Sequence, residues 1–564
     1  MVGEYLWRTR WVTKRRKNMK KNIVWITLGV IVALAAVLRF WQLGAVPVSP
    51  DWDEVALGYN AYSILHTGRD EYSAFLPIVL KSYGDYKPAL YAYIDIPAIW
   101  IFGLNTFAVR LPSALLGVLT IVLTFFLVKE LFKKNSLALL AAFSLSISPW
   151  HIQFSRVAFE ANVGVFFNVL GALLFLKALR KPWLLIPSAI VFACNLYVYQ
   201  SEKIFTPLLA LFLVMLFAKQ VFSLPKKVLF TTLLVGIIFA FPITFYTLFS
   251  PNGLARAQGV SIFSSATVVS GQIADRYLFN KAQKDILGLV LDNGRLVYAK
   301  EIIGNYLSHF SINWLFITGD IARHHAPDMG LLYLWELPCI AMGIYQLIFG
   351  TYSKKTKILI FGWFLLAPLP AAITNDVPHA VRTMNFLPIY PILTAIGLLY
   401  LYNYMKSKKM KYLPFGYICI GLYSIFIIFN GIYYIDQYFI QQNYFNDLDW
   451  QYGYAQAVPA TQQFGVSYKQ IVVDSANQLS QSYMFYLFYL QENPVIYQQA
   501  GNQVPSGKHA FGKYTFRPID WKKDQHMQHA LFVGNAGDFP QGVQGSKKMI
   551  YTVDGKPLIE IVGT

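Results

Sequence analysis

Two short stretches of this chain carry residues whose types and spacing suit proton transfer beside a phosphate. Pro50-Asp51-Trp52-Asp53-Glu54 places three carboxylates directly after the first long apolar run, and Asp85-Tyr86-Lys87-Pro88 follows before the next apolar stretch. A carboxylate can act as general base toward a hydroxyl, and a nearby cation can hold a phosphate leaving group. Charges this close to a bilayer surface are costly unless they bind something. The plainer reading of the same residues is an acidic loop that flanks a membrane helix.

The elements that must position these groups follow from composition. The 564 residues are 55% hydrophobic and 14% charged, with a mean hydropathy of +0.42. A soluble domain carries about 25% charged residues. The chain therefore reads as a polytopic α-helical membrane protein. Apolar runs over residues 23–41, 112–131, 136–150, 163–179, 183–199, 204–218, 228–249, 331–350, 357–374, 386–404 and 412–435 predict about eleven transmembrane helices. The stretch 89–102 is short and contains Asp95 and Pro97, which predicts a helix flat on the outer surface. Residues 54–66 predict a short interfacial helix.

A net charge of +19 can signal nucleic acid, but here the basic residues cluster in short stretches between apolar runs. Eight Lys/Arg precede residue 22 against one acid, Glu4, and later clusters such as Lys133-Lys134, Arg180-Lys181, Lys226-Lys227 and Lys354-Lys355 bracket alternate runs. The bias predicts a cytoplasmic basic N-terminus (1–22) and a transmembrane region (23–435) with outer loops at 42–111 and 250–330. An extracytoplasmic C-terminal α/β domain (436–564) follows, with strands near 470–474, 530–534 and 557–562 and a helix over 480–491. Cys194, Cys339 and Cys419 lie in apolar runs, without disulfide or metal spacing.

This topology collects Asp51, Asp53, Glu54, Asp85, Lys87, Arg156, Glu160, Arg256, His309, Arg323, His324, His325, His379 and Arg382 on the outer face. Each has a structural alternative. Arg156 and Glu160 can pair along a helix, Arg323-His324-His325 can be a headgroup-level turn, and His379 and Arg382 can be interfacial anchors.

Asp53-Glu54, Asp85-Tyr86-Lys87-Pro88-Ala89-Leu90-Tyr91 and Phe102-Gly103-Leu104-Asn105-Thr106-Phe107-Ala108-Val109-Arg110-Leu111-Pro112-Ser113-Ala114 resemble glycosyltransferase family 39, the protein O-mannosyltransferases and aminoarabinose transferases of the GT-C superfamily. The likeness continues through Phe154-Ser155-Arg156, Glu160, Tyr199-Gln200-Ser201-Glu202-Lys203 and Pro378-His379-Ala380-Val381-Arg382. The resemblance implies a GT-C fold and a polyprenyl-phosphate-linked sugar donor. It also implies transfer, with inversion, to a protein, lipid or glycan acceptor on the extracytoplasmic face of the cell membrane. It implies catalytic roles for Asp53, Glu54 and Glu160, donor-phosphate contacts from Lys87, Arg382 and Arg156, and substrate contacts from Asp85, Tyr86 and His379. Glu160 stands where the family usually has Asp, and Tyr86 stands where aminoarabinose enzymes have an acid. A divalent metal ion is compatible with the family but is left unassigned. Two rival functions are a non-catalytic scaffold and a lipid or solute transporter. The transporter would place its charges mid-helix in several spans, whereas here they sit at helix ends and in loops of one face.

Overall fold

The computed structural model describes residues 22–264, 268–406, 413–499 and 509–564; most of the basic N-terminus and Lys408, Lys409 and Lys411 lie outside them. Each predicted apolar run forms a helix. Among the described residues, seven are long and apolar enough to cross a membrane, and the bent pair Asn135–Ile147 and Pro149–Ser155 makes an eighth candidate. The remaining three runs form the shorter helices Pro182–Asn195, Glu202–Leu216 and Glu336–Phe349. At 1.5 Å per residue the 15-residue Glu202–Leu216 helix is about 22 Å long, short of a hydrocarbon core of about 30 Å. Of the about eleven transmembrane helices expected, seven or eight reach spanning length among the described residues. Hydropathy counts apolar residues in turns as readily as those in helices.

The first span, α1 (Asn22–Phe40), leads to α2 (Trp52–Thr67). Asp51 caps α2: its side chain accepts the Glu54 N–H at 2.9 Å while Glu54 accepts the Asp51 N–H at 3.2 Å, a capping box. The chain then makes an antiparallel hairpin, β1 (Val79–Ser82) and β2 (Asp85–Pro88), closed by Tyr83-Gly84. Both turn residues have positive φ, as a two-residue hairpin with the sheet's twist requires. Next come α3 (Leu90–Phe102) and α4 (Thr106–Phe132), then α5 (Asn135–Ile147), α6 (Pro149–Ser155) and α7 (Glu160–Ala178). The segment 250–330 is mostly helical, with Val268–Ala282 and Gly294–Ser308 its longest pieces.

The C-terminal part is a six-stranded sheet in the order β4-β5-β3-β6-β8-β7. Its strands are β3 (Gln470–Val473), β4 (His509–Phe511), β5 (Tyr514–Phe516), β6 (Ala530–Asn535), β7 (Ser546–Tyr551) and β8 (Pro557–Gly563). The three strands and the helix expected from sequence are present as β3, β6, β8 and Ser482–Leu490. β3 is parallel to both β5 and β6. One hydrophobic cluster joins this sheet to the segment 42–111, bringing Tyr59, Tyr91 and Val109 together with Tyr486, Phe488 and Ile561. α2 is accordingly buried along most of its length between α3, α4 and Ser482–Leu490, and not laid on a lipid surface as its spacing predicts.

A buried polar knot ties several of these helices together. Glu202 accepts from Asn168 (2.7 Å), Asn195 (3.2 Å), Thr206 (3.0 Å) and Asn385 (2.6 Å). Through Asn385 it ties the segment after His379 and Arg382 to α7. Glu202→Ala removes the acceptor from four buried donors and is expected to cost about 3 kcal/mol or more. The check is the melting temperature of detergent-solubilised protein, and an unchanged value would show that the knot is not holding these helices.

Candidate active site

The capped start of α2, the β1–β2 hairpin, the start of α7 and the segments around 199–200, 321–324 and 379–381 enclose a cavity of about 400 Å³. Its wall includes Trp52, Asp53, Tyr83, Asp85, Tyr86, Lys87, Glu160, Tyr199, Gln200, Arg256, Arg323, His324, His379 and Gln481. At its centre Lys87 Nζ donates to Asp53 Oδ1 at 2.5 Å, with Lys87 13% and Asp53 35% exposed. The hairpin sets this distance: Lys87 sits on β2 opposite Leu80 of β1, and Gln200 Nε2 holds β2 by donating to the Tyr86 carbonyl at 2.9 Å.

Two further ion pairs flank the first. Arg256 meets Asp85 at 2.7 Å, and Arg323 meets Asp51 at 2.9 Å while its guanidinium lies 4.3 Å over the Trp52 ring. Burial by itself would raise the Asp53 carboxyl, but Lys87, with Arg323 and Arg256 behind it, outweighs burial and holds it below its ordinary value. Burial would lower Lys87, and Asp53 and Glu160 more than offset that, so its ammonium is held above its usual range. Both groups are charged at neutral pH.

A carboxyl with a depressed pKa stabilises the fold above its ordinary value of about 3.9, and that contribution is lost as pH falls through the lowered value. Lys87→Met leaves burial as the largest influence on Asp53. The acid limb of any Asp53-dependent activity is expected to lie below about pH 4 in wild type and to move upward in the variant. An acid limb at the same pH in both proteins would show that Lys87 does not control Asp53.

Of the residues expected from sequence, Asp53, Glu160, Lys87, Asp85, Tyr86 and His379 line the cavity. Three do not. Glu54 is fully buried and directed away from the wall, gripped by Arg110 through two bonds of 2.8 Å and by the Ala158 N–H at 2.9 Å. Arg156 is buried against the carbonyls of Leu38, Arg39 and Val46, to which its two terminal nitrogens donate, and lies over the Phe439 ring; it is not part of the wall. Arg382 donates to Thr374 Oγ1 and the Asn375 carbonyl, and its side chain is not part of the wall. The Glu54 carboxylate is met by the buried Arg110 guanidinium, and Arg156 is met by backbone carbonyls. The wall also holds Tyr83, Tyr199, Gln200 and Gln481. Tyr199 and Gln200 stood in a motif that had already been singled out. Gln481, in the C-terminal part with positive φ, had no signal at all.

Residues 86–246 match the family model of dolichyl-phosphate-mannose-protein mannosyltransferases, which begins at the hairpin strand carrying Lys87. The structure is similar to ArnT from Cupriavidus metallidurans bound to undecaprenyl phosphate, with a TM-score of 0.53 and 10% identity over 95% of this chain and 98% of that one. The chain has a GT-C fold. This GT-C chain is also similar to the archaeal oligosaccharyltransferase AglB from Archaeoglobus fulgidus in complex with an inhibitory peptide and a dolichol-phosphate. That TM-score is 0.50 at 13% identity, over 83% of this chain and 64% of AglB. YkcB of Bacillus subtilis (strain 168), provisionally named a mannosyltransferase, is 36% identical over 104 residues. That match spans 18% of this chain and 14% of YkcB. The resemblance to glycosyltransferase family 39 read from the Asp-Glu and Lys-Pro motifs thus has a family match and a fold behind it.

Proposed function

We propose that this protein is a membrane glycosyltransferase that moves a sugar from a polyprenyl-phosphate-linked donor to an acceptor hydroxyl. The observation that carries the reading is the Asp53–Lys87 pair on the wall of an ion-pair-lined cavity. Asp53 takes the proton of the acceptor hydroxyl as its oxygen attacks the anomeric carbon from the face opposite the phosphate. The anomeric C–O bond breaks, its electron pair leaves with the phosphate, and configuration inverts. Lys87 and Arg256 receive the departing phosphate. An arriving phosphate competes with Asp53 for Lys87 and with Asp85 for Arg256, so donor binding loosens the grip on the base where the acceptor enters. Glu160, the remaining acid on the wall, keeps Lys87 charged and orients the acceptor.

The matched family and the YkcB name favour mannose as the sugar, and the lipid phosphates in the ArnT and AglB complexes favour a polyprenyl carrier. The basic bias of the short loops favours a cytoplasmic N-terminus, which puts the cavity and the C-terminal sheet on the extracytoplasmic side. The test is transfer of labelled sugar from polyprenyl phosphate in vesicles carrying the wild-type protein. The expected result is label on protein, lipid or glycan with free polyprenyl phosphate as co-product. Label that stays on every mannosyl, glucosyl and aminoarabinosyl donor tried would overturn the reading.

A further inference from the structure

Beside the cavity that holds Asp53, a second group of side chains, two of them on its wall, has no part in the reaction described above. Asp320, His324 and His379 each offer one ligand atom, and these atoms all lie within 4.8 Å of one another. We propose that they form a binding site for one divalent transition-metal ion of the zinc class, on the wall of the cavity.

The donor chemistry fits. Two imidazole nitrogens and one carboxylate oxygen suit zinc and its neighbours, and three protein ligands leave a position for water or substrate. Asp320 and His324 are four residues apart and already face each other, with His324 Nδ1 3.1 Å from Asp320 Oδ2. A tetrahedral ion with bonds of about 2.0–2.1 Å separates its ligands by about 3.3 Å, so this edge is close to its bound length. The third ligand comes from a different segment, whose backbone is pinned: the His379 N–H donates to His309 Nε2 at 3.2 Å and the Ala380 N–H to Asp320 Oδ2 at 2.5 Å. His379 Nδ1 is enclosed and has no hydrogen-bond partner. An ordinary hydrogen-bonded turn accounts for His324 and Asp320 but leaves that nitrogen unexplained. A metal ion supplies its partner.

His324 and His379 line the cavity and Asp320 does not, so a fourth ligand enters from the cavity side. The ion would also join the 320–324 turn, which carries Arg323, to the 379–382 segment, which carries Arg382. Asp53 and Lys87 are not among the ligands. The proposal therefore does not rest on the transfer reading, and its readout is bound metal.

The experiment strips the full-length protein in detergent with a chelator, adds Zn²⁺, removes the excess and measures metal per chain by mass spectrometry. About one equivalent is expected for wild type and for Asp53→Asn. His379→Ala and Asp320→Asn should each weaken binding at least tenfold. Asp320→Asn keeps the side-chain size and an acceptor for the Ala380 N–H, so it reports on ligation if His379→Ala fails to fold. Co²⁺ loaded into wild type should show visible bands of a nitrogen-ligated, low-coordinate site. Wild type that retains no metal, or metal retained equally by both triad variants, would overturn the proposal.

Discussion

Asp53→Asn is expected to lower the rate of sugar transfer by about 10²- to 10⁴-fold, the range that a general base contributes. The substitution keeps the shape and the hydrogen-bonding reach of the side chain and removes only its ability to take a proton. Asp53 is 35% exposed and Lys87 keeps Glu160 nearby, so the folded state should survive nearly intact. Donor binding should persist as well, because Lys87 and Arg256 are untouched. The useful measurement is therefore single-turnover transfer from labelled donor in vesicles, alongside donor retention and melting temperature. Loss of turnover with donor retention and melting preserved supports the base assignment. Transfer at more than half the wild-type rate would remove Asp53 from the mechanism and leave Glu160 as the remaining wall carboxylate able to serve.

The neighbouring acid should behave in the opposite way. Glu54→Gln is expected to destabilise the protein by about 3–5 kcal/mol, because it leaves the fully buried Arg110 guanidinium without its counter-charge. The same carboxylate also completes the capping box of α2 and accepts the Ala158 N–H, so its loss loosens the end of α2 that presents Asp53. The readout is the yield of monodisperse protein and its melting temperature, with transfer measured only on the folded fraction. Glu54→Met combined with Arg110→Met should cost less than the sum of the single changes, since removing both charges strands neither. Arg110 also serves the carbonyls of Leu43, Pro47 and Ser49, so recovery should be incomplete. A Glu54→Gln protein that folds normally but is inactive would reverse the assignment and make Glu54 part of the chemistry.

These two adjacent residues show where sequence reading stops. Asp53 and Glu54 carry the same charge, follow the same apolar run and fall in the same motif. Which of them meets the cavity is set by the helical rotation of α2 and by what packs on its other side. Glu54 turns toward an arginine 56 positions later, and no local pattern marks that partner. Arg156 was equally opaque to local reading: its terminal nitrogens donate to carbonyls at and beyond the end of α1, more than a hundred positions earlier.

Legible in the sequence were the membrane class, the positions of the apolar helices, three of the C-terminal strands and the two motifs that carry Asp53 and Lys87, while the helices of 250–330 and Tyr454–Phe464 carried no such signal. Hydropathy, charge bias and motif spacing are properties of neighbouring residues, and they act before any long-range contact forms. Folding alone reveals that the segment 42–111 and the C-terminal sheet share a core, that Gln481 reaches the cavity, and that Asp320, His324 and His379 converge. Those relations join residues tens to hundreds of positions apart, and they are fixed by packing and by the need to pair every buried charge.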